Sequence, residues 1–418
     1  MSVNFLSEDA VLALDPWSMP IEDINVSEPN LYKTNRHWEF FRRLRQDAPV
    51  HYCRDSVFGP FWSITRFNDI MEIEKNHQDF SSVGGVTLGD RPSDFSTPNF
   101  ISMDPPKHDE QRRAVTGVVA PHNLSKLQPI IRERAAKILD ELPVGETFNW
   151  VDRVSIELTT QMLATIFDFP FEERRRLTAW SDLATSTVAT GGSMPEETRR
   201  EGLMECLEVF NGLWRERSNR DPGDHFDLIT MMANNPATQD MDQMEYLGNL
   251  ILLIVGGNDT TRNSISGGVV ALNQHPAEYD KLRANPELIP KMVPEIIRWQ
   301  TPLSYMRRRC VNDTEISGQT IQAGDKVVMW YCSGNRDETV IDDPDSFIID
   351  RDQPRHHLSF GFGIHRCMGN RLAEMQLRTI WEEILARFER VELVGEPVRV
   401  ASNFVKGYEE LPVVVHPK

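Results

Sequence analysis

The chain has 418 residues, of which 40% are hydrophobic, 9% aromatic and 26% charged, a make-up that excludes disorder and collagen-like or coiled-coil fibres. The 45 Lys and Arg against 63 Asp and Glu give a formal charge of −18, which excludes a globally basic nucleic-acid binder and leaves room only for local basic patches. A chain this long buries a large core without disulfides or a structural metal.

Residues 1–17 carry Glu8, Asp9 and Asp15 and no cationic segment ahead of an apolar run, so they do not read as a signal peptide. Strands are expected over 50–53 and 61–65, with helices over 38–46 and 68–75. Residues 81–106 are rich in Gly, Pro and Ser and read as a long loop, yet they hold Val83, Val86, Leu88, Phe95, Phe100 and Ile101. A long loop with apolar side chains suggests a lid or binding loop. Directly after it, His108 and Arg112 are four apart at a helix start and can face the same way.

Between about 107 and 300 the pattern is almost wholly helical, with apolar residues at helical spacing over 127–142, 151–167, 171–187, 196–219 and 245–273. The most apolar run, 247–257, contains Asn249 and is too short to span a bilayer. It ends in Gly256-Gly257-Asn258-Asp259-Thr260-Thr261. Two glycines inside a helix cost about 1 kcal/mol each relative to alanine. Gly256 and Thr260 share a face, so that face reads either as a groove beside a hydroxyl or as close helix–helix packing. Glu295 and Arg298 form an acid–base pair at i,i+3, which alone usually means a solvated surface. Pro294 suggests that this helix begins late. Arg308 stands just before Arg309-Cys310-Val311-Asn312-Asp313, and short strands return around 327–331. His356-His357 has neither the spacing nor the thiols of a zinc site.

The strongest signal is Phe360-Gly361-Phe362-Gly363-Ile364-His365-Arg366-Cys367-Met368-Gly369, followed by a helix over 370–388. Its glycines permit a sharp turn and close approach to a flat partner. Cys367 then sits at a helix N-terminus, where N–H groups and the dipole favour a thiolate. A lone thiolate so presented suits axial ligation of haem iron, the plainer reading being a buried free cysteine. The five cysteines (Cys53, Cys206, Cys310, Cys332 and Cys367) are scattered, with no C-x-x-C, and suit free thiols in a reducing compartment. A cytoplasmic protein without a membrane span is expected. No repeat or linker divides the chain. The expectation is therefore one domain over 1–418, mainly α with a minor β region: β-richer over about 31–75 and 301–418, helical over about 107–300.

With Phe360, Gly361, Gly363, His365, Arg366, Cys367 and Gly369 in register, the sequence resembles the cytochrome P-450 family of haem-thiolate monooxygenases. The resemblance runs from about residue 31 to 415 and includes Asn335-Arg336-Asp337 and His357-Leu358. It implies that family's fold, a triangular helical prism holding haem b (iron protoporphyrin IX) between a long helix and the cysteine loop. Cys367 would be the iron ligand, with Phe360 and Gly369 of its loop and Gly256 of the long helix against the cofactor. His108, Arg112, Arg308 and His365 would partner the propionates. Asp259 and Thr260 would relay protons to the dioxygen being reduced. Glu295 and Arg298 would form a buried structural pair beneath the cysteine loop.

Among bacterial members the chain resembles soluble terminal hydroxylases of alkanes and fatty acids, through Arg91-Pro92-Ser93-Asp94-Phe95, the stretch 100–106 (FISMDPP), the stretch 253–259 (LIVGGND) and the stretch 298–303 (RWQTPL). Val86, Leu88, Ile254, Leu303 and Phe404 would line an apolar slot, each with ordinary core as its plainer role. Another hydrophobic substrate of terpene or steroid type, a non-catalytic haem carrier or sensor, and a peroxide-driven enzyme are the alternatives, the last two having little use for Asp259 and Thr260. A cysteine hydrolase built on Cys367 and His365 lacks an orienting third group. The chain ends about 30 residues after the final helix, and cluster-type cysteine spacings are absent. Electrons from NAD(P)H are therefore expected through a separate ferredoxin and ferredoxin reductase, with Arg112, Arg113, Arg366 and Arg371 as a basic docking patch.

Overall fold

The computed structural model describes every residue except 1–4, 91, 92, 193, 222 and 224, and leaves the side chain of residue 189 undescribed. Of the segment 91–95, Arg91 and Pro92 thus lie outside the described residues. The fold is mainly helical with a minor β portion, as expected.

Its axis is the helix Gln243–Gln274, 32 residues and so about 48 Å long at 1.5 Å per residue. Asp242 caps it, accepting from the N–H groups of Met244 and Glu245 at 2.9 Å each. The helices Glu157–Phe167, Arg175–Thr185, Ile289–Gln300 and Asn370–Arg387 pack around it. Glycines allow that closeness. A Cβ at Gly267 would meet the Gln300 side chain at 2.4 Å, one at Gly268 would meet Ile296 at 2.9 Å, and one at Gly257 would meet Leu163 at 2.7 Å.

The expected helices are present with shifted ends. Residues 151–167 divide into a π-helical turn, Val151–Ile156, and the α-helix Glu157–Phe167. Residues 171–187 open with a 3-10 turn and continue as Arg175–Thr185. The helix bearing Glu295 does not begin late: it spans Ile289–Gln300 with Pro294 inside it. Ile289, Met292, Val293, Ile296 and Ile297 are all buried, and this apolar stripe holds the first turn although Pro294 forgoes one backbone hydrogen bond.

A five-stranded sheet flanks the helices in the order Val50–Cys53, Phe61–Ile64, Lys326–Met329, Met306–Cys310, Phe80–Ser81. Its central pairing is parallel, Trp62 opposite Val327, and joins the N-terminal and C-terminal β regions. The strand expected near 327–331 stops at Met329, because Tyr331 begins the short helix Tyr331–Gly334. The sheet carries Arg307 and Arg308 on one strand, where side-chain alternation sends them to opposite faces.

Candidate active site

The loop before the helix Asn370–Arg387 builds the centre of the site. Gly361 and Gly363 take φ of +64° and +65°, a conformation that side chains rarely adopt. A Cβ on Gly363 would also sit 2.1 Å from the carbonyl oxygen of Glu74. Cys367 N–H closes the loop onto the Phe360 carbonyl at 2.8 Å. The Cys367 side chain is open, yet it lies deep in the protein, because its opening is an interior cavity. Burial pushes its thiol up; the N–H groups of Gly369 and Asn370 and the charges of Arg112 and Arg366 act in the opposite direction.

Beneath this loop Glu295 and Arg298 are fully buried and bonded twice at 2.7 Å. Arg351 adds a second guanidinium at 3.0 Å from Glu295. Arg298 also donates to the Asn335 carbonyl at 2.9 Å. The Asn335 side chain accepts from Leu358 N–H at 2.6 Å and donates to Ser359 Oγ at 2.8 Å. The pair is thereby tied, through Asn335, to the residues just before Phe360.

Cys367 opens into a cavity of about 640 Å³. Gly256, Thr260, Arg112, Arg308, Phe360, His365 and Gly369 all line it. A Cβ on Gly256 or on Gly369 would meet nothing within 4 Å. Gly256 therefore opens the helix face to the cavity, whereas its neighbour Gly257 serves helix packing.

Above the cysteine loop sits a cluster of cations and imidazoles. Arg308 reaches Glu74 at 3.3 Å. Arg112 donates to the Arg366 carbonyl and has no carboxylate partner among the described residues. His108 is buried, its Nδ1 2.7 Å from Asp109 and its Nε2 without a partner. His365 lies edge-on to it at 4.4 Å between centroids, its Nε2 2.9 Å from Ser82 Oγ and its Nδ1 without a partner. Burial and then Arg308 push His365 down to about 2, and burial pushes His108 down as well, so both rings are neutral at pH 7. Two guanidiniums and the open Nδ1 of His365, whose Nε2 can accept from Ser82, match a flat group bearing two carboxylates. His108 does not line the cavity, and while its Nδ1 proton is held by Asp109 a neutral ring offers only a lone pair at Nε2. Together with the open thiol and the glycine-lined walls, this donor set fits haem.

Asp259 and Thr260 are neighbours in sequence, but only Thr260 faces the cavity. Thr260 Oγ1 donates to the Gly256 carbonyl at 2.8 Å. Asp259 is fully buried behind it, accepting from Ser181 Oγ at 2.7 Å and lying 2.6 Å from Arg262. Burial raises its pKa and Arg262 opposes the rise.

The substrate wall needs two corrections. Val86, Leu303 and Phe404 line the cavity; Leu88 and Ile254 do not. Leu88 is drawn into a core with Tyr305 and Trp330, its N–H donating to Tyr305 Oη at 3.0 Å. Ile254 shares its helix face with Asn258, which is bonded to Thr159 at 3.1 Å in the main core. Ile251, Leu252, Val255 and, from the long loop, Phe95, Phe100 and Ile101 complete the wall. Sequence reasoning also missed Glu74, Ser82 and Tyr331. Glu74 accepts from Tyr331 Oη as well as from Arg308, and in sequence it is an unremarked acid at the end of a surface helix. At the His356-His357 pair, as elsewhere among the described residues, no cluster of His, Cys, Asp or Glu could hold a metal ion.

A family model described as Cytochrome P450 matches residues 197–404. Linalool 8-monooxygenase of Pseudomonas putida is 36% identical, over 95% of this chain and 100% of its own length. The solved structure of CYP153D17 from Sphingomonas sp. PAMC 26605 is 48% identical and superposes with a TM-score of 0.89, covering 95% of this chain and 100% of that one. The methyl-branched lipid omega-hydroxylase of Mycobacterium bovis is 28% identical over 99% of both chains.

Proposed function

The chain belongs to the cytochrome P450 family and is a monooxygenase of that family, and on that premise we propose that it hydroxylates the terminal carbon of medium-length alkyl chains, alkanes or fatty acids. The observation that carries this reading is the apolar wall over Cys367, formed by Val86, Ile251, Leu252, Leu303 and Phe404. Burial there holds an alkyl chain at about 0.8 kcal/mol per methylene. A primary C–H bond is stronger than the methylene bonds beside it, so terminal attack depends on positioning rather than on intrinsic reactivity. The omega-hydroxylase among the relatives supports the same reading.

Haem b, when bound, supplies dioxygen activation and the oxidising power for C–H hydroxylation; the balance is one dioxygen, two electrons and two protons for each alcohol and water formed. Cys367 would ligate its iron. Arg112, Arg308 and His365 would hold its propionates, with His108 joining them only as an imidazolium, and Gly256, Phe360 and Gly369 would border it. Thr260 Oγ1, its own proton engaged by the Gly256 carbonyl, offers lone pairs to the cavity and orients a proton donor there. Asp259, an ion-paired carboxylate behind it, would relay protons only by leaving Ser181 Oγ, taking a proton up from water and passing it on. Electrons come from a ferredoxin and its reductase, with exposed Arg113, Arg366 and Arg371 beside the cysteine loop as the basic face for an acidic carrier.

A branched terpenoid is the second reading, favoured by the likeness to linalool 8-monooxygenase. Mass-spectrometric product analysis with haem-loaded enzyme, ferredoxin, reductase and NAD(P)H separates the two, given alkanes and fatty acids of graded length alongside terpene alcohols. Terminal alcohols should dominate, and Leu303→Ala should raise the sub-terminal share several-fold. Turnover of terpenoids alone, or a product ratio indifferent to Leu303→Ala, contradicts the first reading.

A further inference from the structure

A second, much smaller cavity, of about 50 Å³, lies apart from Cys367, where Trp38, the end of the helix Ile289–Gln300 and residues 399–408 meet. Arg336, Arg399 and Lys406 all line it, and no Asp or Glu does. In a chain of charge −18, three cations around a cavity without an acid call for an account.

Their compensation is incomplete. Arg336 is buried, donating to the Pro344 carbonyl at 3.0 Å, and its one carboxylate, Asp345, lies 3.4 Å away. Arg42 binds that same carboxylate more closely, at 2.6 Å. The Nε of Arg336 has no partner. Arg399 and Lys406 form no ion pair among the described residues. Instead the Arg336 guanidinium stands 4.6 Å and Lys406 Nζ 4.8 Å from the same Trp38 ring, and Arg399 stands 5.8 Å from Tyr408. Aromatic faces offset part of a cation's lost hydration but carry no charge to cancel it. Burial and then Arg336 accordingly hold Lys406 down to about 7.

We propose that this cavity binds a small oxyanion, a carboxylate or a phosphate- or sulfate-type group, which neutralises Arg336, Arg399 and Lys406 together. The volume exceeds the room one water needs and is far too small for an alkyl substrate or a nucleotide, so a free anion or an anionic head group is the occupant. Two planar guanidiniums and an ammonium converging from separate segments suit oxygen acceptors. The site abuts the substrate wall from behind. Lys406 N–H donates to the Pro302 carbonyl at 2.9 Å, and Ser304 N–H donates to the Phe404 carbonyl at 2.8 Å. The cation-bearing segment is thus bonded across to the residues on either side of Leu303.

Thermal unfolding of the haem-loaded enzyme tests this, with inorganic phosphate, sulfate or acetate titrated at constant ionic strength; the three arms separate phosphate-type from carboxylate chemistry. At least one anion should raise the midpoint saturably, by about 3 °C at a hundredfold excess over its Kd. Lys406→Gln and Arg399→Gln should each raise the anion-free midpoint, by removing repulsion, and abolish the saturable rise. A rise that never saturates, or one that is equal in the wild type and both variants, reflects general salting and overturns the proposal.

Discussion

Gly256 and Gly257 differ by one position and do opposite things. At Gly257 the missing Cβ admits Leu163, while at Gly256 it leaves empty space facing the cavity. The same contrast runs through the charged residues. Arg308 and Arg112 stand at the cavity with little carboxylate compensation, and Lys406 stands at the smaller one with none. Lys406 yields a test of sign. An unfolded chain takes up its lysine proton near 10.5, whereas the folded chain, with Lys406 buried and Arg336 and then Arg399 against it, does so only near 7. The lysine's contribution to stability is therefore fully present above pH 10.5, is lost as pH falls toward 7, and is level below that. Denaturant unfolding of the wild type and Lys406→Gln at several pH values should show the gap between them widening in the variant's favour from pH 10 to pH 7. A gap independent of pH would contradict this account of the cluster.

At the scale of elements, the loop following Phe80–Ser81 forms much of the cavity wall, and Arg307 holds it. From the strand Met306–Cys310 the buried Arg307 donates to the Gly84 and Gly85 carbonyls, at 2.5 and 3.1 Å, and to Asp90 at 2.6 Å, while its own N–H bonds the Val86 carbonyl at 2.8 Å. Val86, Thr87, Gly89 and Asp90 all face the cavity. Arg307→Met keeps most of the packing and removes three of these bonds, leaving two carbonyls without their donor. It should cost about 2–3 kcal/mol in stability and broaden the positions hydroxylated, with KM rising more than kcat falls. Arg307→Lys, which can still pair with Asp90, should recover part of the selectivity. An unchanged product distribution in Arg307→Met with full haem content would show that the loop needs no such staple. This arrangement explains what could be read in advance. The helices were legible because each buries a periodic stripe, and the cysteine loop was legible because its glycines and cysteine fall within one short run, 360–369. The fate of Leu88 was not, because one hydrogen bond from its N–H to Tyr305, 217 residues away, decides which way an irregular loop turns that side chain. Pro294 misled in the same manner: a local rule about proline yielded to a buried stripe on the same helix.

Across the whole molecule, the site is an assembly of distant segments. Glu74 meets Arg308 across 234 residues, Ser82 meets His365 across 283, and the five-stranded sheet joins the segment 50–81 to the segment 306–329. Such partners carry no sequence signal of their own, and for that reason Cys367, Gly256 and Arg308 were legible while Glu74, Ser82 and Tyr331 were not. No helix among the described residues is long and apolar enough to cross a membrane. The architecture converges on one sulfur, open to the cavity, with a guanidinium–imidazole cluster above it and a buried Glu295–Arg298 pair beneath its loop. The most direct measurement is the absorption spectrum of the reduced, CO-bound enzyme, wild type against Cys367→Ser, both made with ample haem. The wild type should show the red-shifted Soret band of thiolate ligation and the variant should lose it. A colourless wild type, or a variant that retains the thiolate band, would contradict the account.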